Sequence, residues 1–374
     1  MEFIIQKENI SNALNATVKI TPNKSIQPVL SNVLIETITN DRIRLISTDL
    51  ELSMEYKTAA TVEKQGKVTL PAKKLSEIIS KLPNKPVCFS VNTENNLTSI
   101  TCGNSKFEVM GISADEFPDI VGEDLIKENE ETVDIEIEPL LKAIKQTVFA
   151  TAMYDTSNVL SGVSCQIKGK KLEMAATDGN RLARVVESIT NEDDKNYSVI
   201  IPSRTLNEFS RIAASTDDEK VSIIVKNGYI MFKLSDRYLL SRLIEGQYPK
   251  YQQLIPASYS KVVKVDREEF ISALDRTATM VNERTNIIKF TLNDNKLLLK
   301  ADAPDLGDSM DLIDAEYEYE ELSIAFNYKF VLESLRNMDS EKIKIEMEGA
   351  LNAALFKPDN EEDFLCLIMP VQIR

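Results

Sequence analysis

The chain has 374 residues, 43% of them hydrophobic and 28% charged, which is the composition of a folded globular protein with room for two or three domains. It contains no histidine, and its four cysteines form no C-x-x-C pair, so Ser-His and Cys-His catalysis and most zinc or redox-metal sites are excluded. The net charge of −15 by itself argues against nucleic acid as a partner.

An apolar pattern recurs three times along the chain, at intervals of 130 residues. Its anchors are Ile5, Ile10 and Leu14, then Ile135, Leu140 and Ile144, then Val265, Phe270 and Leu274. In the middle copy Val133 and Ile135 alternate as in a strand, and Pro139 then stands where a helix begins. Because a fixed period indicates repeated structural units, we predict three homologous domains, at residues 1–122, 131–254 and 258–374.

Each copy contains two segments with helical spacing of apolar residues. The predicted helices span residues 9–20, 72–82, 139–151, 203–214, 267–280 and 327–338. Short alternating strands surround them, and the hairpin at Asn227-Gly228 has the clearest turn pattern. A polar turn with an aspartate, Asp49, Asp178 or Asp302, is predicted between the two helices of each copy. The predicted fold class is therefore α+β, with two helices packed on antiparallel sheets in each domain.

The amino terminus lacks a basic region and a cleavage-like site, and no apolar run reaches transmembrane length. We therefore expect a cytoplasmic protein without a membrane partner. In that compartment Cys88, Cys102, Cys165 and Cys366 are expected to be buried free thiols, although Cys88 and Cys102 lie on adjacent predicted strands.

Charge is unevenly distributed along the chain. The six predicted helices carry +6 in total, which leaves −21 for all other residues because the whole chain carries −15. Tandem similar domains can reuse one interface head to tail and close into a ring, whose helices could line a basic interior. The candidate lining residues are Lys19, Lys73, Lys81, Lys142, Lys145, Arg204, Arg211, Arg276, Lys329 and Arg336. The alternative is that these are ordinary solvated helix faces.

Several motifs resemble one family over essentially the whole chain. They are Thr48-Asp49-Leu50-Glu51, Leu70-Pro71-Ala72-Lys73-Lys74-Leu75, Glu116-Phe117-Pro118, Ala176-Thr177-Asp178-Gly179-Asn180-Arg181-Leu182-Ala183, Tyr248-Pro249-Lys250-Tyr251, Ala325-Phe326-Asn327 and Met369-Pro370. The chain resembles the bacterial sliding clamp, the beta subunit of DNA polymerase III. This resemblance implies a non-catalytic processivity factor without a metal or cofactor. It also implies a head-to-tail homodimer with six domains in a ring around duplex DNA, the DNA clamp fold.

The resemblance also implies partners and sites. The partners are the catalytic subunit of DNA polymerase III, the clamp loader and other replication and repair proteins. A peptide pocket between the second and third domains would contain Leu160, Thr177, Gly179, Arg181, Leu182, Pro249, Leu254, Leu367, Met369, Pro370 and Val371. In it Thr177 and Arg181 are expected to offer hydrogen-bond donors. The chain departs from the family pattern at Asn180, where histidine is frequent, at Gln253, and at its C-terminus.

Two further sets of residues match family positions. The DNA-facing set combines these matches with the helical lysines and arginines, and comprises Lys24, Lys73, Lys142, Lys145, Arg204, Arg211, Lys329 and Arg336. The dimer interface would contain Lys74, Phe107, Thr279 and Met280.

Two other functions are compatible with the sequence. The first is an acidic three-domain adaptor that docks peptides without DNA, which a monomer in solution would favour. The second is a carboxylate–metal hydrolase that uses Asp49, Asp178 and Asp302, but one aspartate per domain suits turn chemistry better than a shared active site.

Overall fold

The structure is a computed structural model that describes residues 1–22, 25–120, 132–152, 159–191, 195–256, 258–304 and 306–372. In this part of the chain the α-helices are α1 (Lys7–Thr17), α2 (Ala72–Lys81), α3 (Ile137–Thr147), α4 (Ser203–Ala213), α5 (Arg267–Thr277) and α6 (Tyr328–Arg336). Among the described residues no helix is long and apolar enough to cross a membrane.

The strands of the described residues fall into three groups that follow the repeat. The first group is β1 (Glu2–Gln6), β2 (Asn32–Thr39), β3 (Arg42–Thr48), β4 (Leu52–Ala59), β5 (Thr61–Lys64), β6 (Lys67–Pro71), β7 (Pro86–Asn92), β8 (Leu97–Cys102) and β9 (Ser105–Met110). The second is β10 (Thr132–Glu136), β11 (Gly162–Lys168), β12 (Lys171–Thr177), β13 (Arg181–Ser188), β14 (Tyr197–Pro202), β15 (Lys220–Lys226), β16 (Tyr229–Lys233) and β17 (Arg237–Arg242). The third is β18 (Lys261–Asp266), β19 (Ile287–Asn293), β20 (Lys296–Ala303), β21 (Gly307–Asp314), β22 (Leu322–Asn327), β23 (Lys342–Met347), β24 (Ala354–Pro358) and β25 (Phe364–Ile368).

The chain forms two compact units. Unit 1 consists of Met1–Ile137 and Arg211–Leu243, and unit 2 consists of Glu138–Ser210 and Ile244–Arg374. The predicted middle domain contributes to both units because its strands complete sheets begun by the first and third groups. The predicted domain boundaries therefore do not coincide with these units, and they stay a prediction.

Unit 1 contains two antiparallel sheets. Their strand orders are β5-β1-β7-β8-β9 and β10-β15-β16-β17-β4-β3-β2-β6. Helix α1 packs against β3, β4 and α2, with Ile10, Ala13 and Leu14 buried on its inner face. The rings of Phe3 and Phe89 stack with centroids 4.7 Å apart in the smaller sheet. The alternating pattern at Asn227-Gly228 forms the predicted hairpin between β15 and β16, and both residues have positive φ.

Unit 2 also contains two antiparallel sheets. Their strand orders are β14-β11-β12-β13-β25-β24-β23-β18 and β21-β20-β19-β22. Helix α5 packs against β20, β21 and α6. Edge-to-face contacts link Phe270, Phe290, Phe326 and Phe356 in series, with ring centroids 5.3–5.7 Å apart. Two helices on antiparallel sheets recur in each repeat, which confirms the predicted α+β class.

One prediction about local structure was wrong in detail. The predicted turn at Asp302 is a strand instead, because β20 extends to Ala303 and Asp302 lies opposite Asp308 of β21. Cys88 and Cys102 lie on the paired strands β7 and β8, but Cys88 lies opposite Thr101, so the two thiols are directed to opposite faces of the sheet. The four cysteines are free thiols, as predicted, and only Cys88 is partly exposed.

Candidate functional site

An apolar cluster in unit 2 lies where β13 pairs with β25. Its buried members are Ala175, Leu182, Tyr251, Leu355, Leu365 and Leu367, and Tyr248, Ile255, Tyr259 and Ala353 pack against them. Two large apolar side chains that closely follow Tyr251 and Leu367 in the sequence are exposed to solvent: Leu254 is 57% exposed and Met369 is 47% exposed. Of the predicted pocket residues, Leu182 and Leu367 therefore belong to the core, whereas Leu254 and Met369 are available for contact.

The turn before β13 is fixed by side-chain hydrogen bonds. Asp178 Oδ1 accepts from the amides of Asn180 (2.9 Å) and Arg181 (3.1 Å). The Thr177 hydroxyl donates to the Arg181 carbonyl (2.6 Å) and accepts from the Gly179 amide (3.1 Å). Gly179 has φ +91° with open space where a Cβ would lie, so a glycine satisfies the left-handed backbone without strain.

Arg181 is a buried structural residue. Its guanidinium donates to Asp178 (3.0 Å), to the Phe149 carbonyl (2.5 Å) and to Glu333. It also lies over the rings of Phe149 and Phe330, 5.4 and 4.6 Å from their centroids. The donors that the sequence suggested for ligand binding at Arg181 and Thr177 are thus used within the protein, and the surface left for a ligand is mainly apolar.

The segment after β25 forms an edge of this region. The Met369 amide donates to the Asn180 carbonyl (2.9 Å), and the Val371 amide donates to the Ala325 carbonyl (2.8 Å). Pro370 lies between these two bonds and has no amide hydrogen to satisfy, which suits an edge position. The remaining predicted pocket residues, Leu160 and Pro249, are half-buried and exposed.

Two tyrosines of this region, Tyr248 and Tyr251, were not among the predicted pocket residues. The Tyr248 hydroxyl accepts from the Thr177 amide (3.1 Å) and donates to the Gly162 carbonyl (3.3 Å). The Tyr251 hydroxyl donates to Glu173 (2.6 Å). Burial raises the pKa of Tyr248 to about 12 and also raises the pKa of Tyr251, so both remain neutral donors. Their place in the Tyr248-Pro249-Lys250-Tyr251 motif was the sequence feature that pointed to them.

The predicted DNA-facing residues differ in their surroundings. Lys24 lies outside the described residues. Lys73, Arg204 and Lys329 are exposed, and Arg211 donates to the carbonyls of Asn15 (3.1 Å) and Ala16 (3.0 Å) at the end of α1.

Ion pairs with described carboxylates are formed by Lys142, Lys145 and Arg336 of the set predicted to face DNA. Lys145 pairs with Asp339 at 3.4 Å, and Arg336 pairs with Asp275 at 3.2 Å. Lys142 bridges Glu187 (2.9 Å) and Glu361 (2.8 Å). Burial alone would lower the pKa of Lys142, but the two carboxylates outweigh burial and raise it. Their positive charge is thus already partly neutralised within the protein.

Two of the predicted dimer residues, Phe107 and Met280, lie at or beside sheet edges. Phe107 is on β9, the last strand of the five-stranded sheet, and is 37% exposed. The Met280 side chain lies beside Gly307 at the start of β21, the last strand of the four-stranded sheet. Lys74 pairs with Glu77 on α2, and the Thr279 hydroxyl donates to the Arg276 carbonyl. Four further apolar side chains, which no sequence motif indicated, are exposed on or beside the same two strands: Met110, Leu306, Met310 and Leu312.

The described residues contain no cluster of acidic or cysteine side chains that could hold a metal ion. Asp49 and Asp178 each accept two backbone amides of their own turn, and Asp302 lies in a strand. Asp49 and Asp178 therefore have local structural roles.

Comparison with known proteins identifies the family. The family models of the DNA polymerase III beta subunit match throughout: the N-terminal domain over residues 1–121, the central domain over 134–250 and the C-terminal domain over 252–372. The chain is 33% identical to the beta sliding clamp of Synechococcus elongatus and 30% identical to that of Bacillus subtilis, with 100% of each chain covered.

Solved structures agree with the sequence matches. The DNA polymerase sliding clamp from Bacillus subtilis superimposes with a TM-score of 0.92 at 28% identity. A sliding clamp from Pseudomonas aeruginosa bound to griselimycin superimposes with a TM-score of 0.92 at 26% identity, and both comparisons cover 100% of each chain. The chain belongs to the bacterial DNA polymerase III beta subunit family, the beta sliding clamps, which are non-catalytic processivity factors of DNA replication.

Proposed function

We propose that two copies of this chain join head to tail into a closed ring of six domains that encircles duplex DNA. The ring would tether the catalytic subunit of DNA polymerase III, and other partners including the clamp loader, through the apolar region beside Met369. One observation carries the proposal. Strands β9 and β21 lie at sheet edges and carry exposed apolar side chains. They are equivalent, by their place in the repeat, to the strands that pair neighbouring repeats inside the chain.

The two junctions inside the chain have the same construction. The third strand after the first helix is β4 in the first repeat, β13 in the second and β21 in the third. The third strand after the second helix is β9, β17 and β25, in the same order. Strand β17 pairs antiparallel with β4, and β25 pairs antiparallel with β13. The pairing left over is β9 with β21, which a second copy of the chain would supply in both directions.

The repeat also gives the register of this proposed pairing. At the first junction Leu239 lies opposite Met54. The repeats can be matched by following the paired residues from each strand to the next strand of its hairpin. By this match Phe107 of β9 is equivalent to Leu239 of β17, and Ser309 of β21 is equivalent to Met54 of β4. We therefore expect Phe107 of one copy to lie opposite Ser309 of the other.

The surroundings of Ser309 suit an aromatic side chain. Gly307, two residues away on the same face of β21, has no side chain, and the Met280 methyl group lies next to it. Phe107 could cover this space and bury apolar surface from both copies, at about 25 cal/mol per Å². Predicted dimer residues Phe107 and Met280 would thus meet in the closed ring.

Cysteine cross-linking tests the register. Lys106 and Met310 precede and follow the central pair, so the register places them opposite each other, and both are exposed. Lys106→Cys together with Met310→Cys should give a covalent dimer on mild oxidation. The control, Lys106→Cys with Leu312→Cys, is displaced by two residues and should cross-link at least tenfold less. Equal cross-linking of the two pairs, or a monomer of the unmodified chain in sedimentation at micromolar concentration, would contradict the proposal.

The DNA contacts of the proposed ring would be made to the phosphate backbone. Lys73, Arg204 and Lys329 are exposed, as are the ion-paired Lys145 and Arg336, and Lys24 is a further candidate from the sequence. Backbone contacts fix position without reading bases, which suits a protein that moves along DNA. With so few cations, binding of the open or unloaded protein to DNA should be weak and should decrease with added salt.

A further inference from the structure

A cavity of about 390 Å³ opens in unit 1, where β4 pairs with β17. Its apolar surface comes from Leu34, Ile46, Phe117, Ile120 and the Tyr238 ring. These residues belong to two buried clusters that meet at Ile120. The cavity thus has a rigid apolar floor on a sheet, which is the usual setting of a binding site.

The polar part of the cavity is acidic in excess. Arg44 donates to a single oxygen of Glu36, at 2.8 and 2.6 Å, and to Glu55 at 3.2 Å. The lining carboxylates are Glu36, Glu55 and Asp119, against Arg44 and Lys67. Among the described residues no side-chain hydrogen bond or ion pair engages the second oxygen of Glu36 or the Asp119 carboxylate. A positively charged group would find acceptors here.

The equivalent position in unit 2 is filled by the protein itself. Phe117-Pro118 in the first repeat corresponds to Tyr248-Pro249 in the second, so Ile120 corresponds to Tyr251. Tyr251 is 2% exposed, and its hydroxyl donates to Glu173 at 2.6 Å. Isoleucine is shorter than tyrosine and has no hydroxyl, so it leaves this place open in unit 1.

The charges around the two places are reversed. Aligning Thr48-Asp49 with Thr177-Asp178 gives two pairs of equivalent positions with opposite charge, Arg44 and Glu173, and Glu55 and Arg184. Aligning Phe117-Pro118 with Tyr248-Pro249 gives a third pair, Asp119 and Lys250. In unit 2 the ion pair between Arg184 and Glu173 is 2.7 Å long. The two places are thus built alike. In unit 2 the side chain of Tyr251 fills the place, whereas in unit 1 the place is open and the surrounding charges have the opposite sign.

We propose that the cavity of unit 1 binds a tyrosine side chain, with a basic residue next to it, from an extended segment of a partner protein. The ring would pack on Ile46 and against the Arg44 guanidinium, which favours aromatic faces. Its hydroxyl would donate to the free oxygen of Glu36, as Tyr251 donates to Glu173 in unit 2. The adjacent basic side chain would meet Asp119. This site is separate from the apolar region beside Met369 and does not depend on ring closure.

Tyr238 of the chain does not already fill the site. It occupies the position of Leu365 in unit 2, and its hydroxyl donates to Glu55 at 3.3 Å. Its ring is therefore part of the cavity wall, and the space beyond it remains open.

Fluorescence anisotropy of the full chain with labelled peptides tests the proposal. The probe is Gly-Ser-Tyr-Lys-Ser-Gly, and the comparison peptides carry Ala in place of Tyr or Glu in place of Lys. We expect either change to weaken binding at least tenfold. Ile120→Tyr should place the chain's own ring in the cavity and weaken probe binding at least tenfold, whereas Met369→Ala should leave it unchanged.

Two further measurements keep the test decisive. The thermal midpoint of Ile120→Tyr shows whether the variant is folded, and Asp119→Lys, a change at an exposed residue, should weaken binding of the Lys-containing probe while favouring the Glu-containing one. The proposal is overturned if no tyrosine peptide binds, if Ala replaces Tyr without loss, or if folded Ile120→Tyr and Asp119→Lys both bind the probe as the unmodified chain does. Loss in Met369→Ala would instead assign binding to the other region.

Discussion

Leu50 and Gly179 occupy equivalent turns in the first two repeats, but the left-handed backbone of the turn costs the two residues different amounts of free energy. Both have positive φ, +80° for Leu50 and +91° for Gly179, and Leu50 is 49% exposed. A left-handed residue other than glycine costs roughly 1–2 kcal/mol, and the same turn hydrogen bonds to Asp49 are present around Leu50. Leu50 therefore carries backbone strain that little side-chain burial offsets.

This comparison predicts opposite effects of reciprocal substitutions. Gly179→Leu should lower the free energy of unfolding by roughly 1–2 kcal/mol because it introduces that strain. Leu50→Gly removes the strain but adds freedom to the unfolded chain, at about 0.5–1 kcal/mol, so it should be neutral or slightly stabilising. Urea unfolding of both variants measures the difference, and a Leu50→Gly protein less stable than Gly179→Leu would contradict the account.

Glu173 gives unit 2 a pH-dependent contribution to stability. Burial tends to raise the pKa of Glu173, but hydrogen bonds from Arg184 and Tyr251 outweigh it and lower the pKa below the usual 4.5. Because the folded-state pKa is the lower one, this stability is complete above about pH 4.5 and is lost as the pH falls through the folded-state value.

Glu173→Gln should therefore destabilise the protein at pH 7, by roughly 1–2 kcal/mol, since it removes a charged hydrogen-bond partner of Arg184. The difference from the unmodified chain should shrink as the pH falls below 4.5. Unfolding curves collected across this range test the sign, and a difference that grows in acid would refute it.

At the scale of elements, local patterns predicted the helices well and the pairing of strands poorly. The sequence predicted all six α-helices of the described residues, although α1 begins at Lys7, two residues before the predicted start, and α3 begins at Ile137. Helix formation depends on apolar spacing over neighbouring turns, which the sequence displays directly. Pairing of β4 with β17 and of β13 with β25 joins residues more than 150 positions apart, and no local pattern encodes it.

The candidate site shows the same division. Met369, Pro370 and Thr177 came from motifs, and the structure places Met369 and Thr177 beside the same turn. The roles of Glu333 and Phe149, which hold Arg181, could not be predicted, since they come from distant segments that meet only through packing. The Asp302 turn failed because β20 continues through Asp302 to Ala303 before the chain turns into β21.

The segment after β25 gives the prediction at this scale. Met369→Ala with Pro370→Ala should abolish stimulation of DNA polymerase III by the protein, because it removes the exposed apolar contact surface. The dimer should stay intact, since the segment contributes no residue to β9 or β21. Arg242→Ala, at the position of the first repeat junction equivalent to Met369, is the matched control and should stimulate normally. Unchanged stimulation by the double variant would remove this region from the proposed function.

For the whole molecule, the separation of charge explains how an acidic protein could enclose DNA. The helices are mildly basic within a chain of net charge −15, and three of the predicted DNA-facing cations are already paired with carboxylates. We therefore expect the direct attraction of the protein to phosphate to be small. Retention on DNA would have to come from topology, that is, from closure of two edge strands, rather than from affinity.

The most direct measurement is retention on circular and linear DNA. The protein is loaded by its clamp loader onto a nicked circular plasmid, the salt is raised to about 0.5 M, and bound protein is followed after the plasmid is cut once. A closed ring predicts that the protein stays on the intact circle and leaves within minutes of linearisation. Equal rates of loss from the circle and from the cut DNA would contradict the central claim.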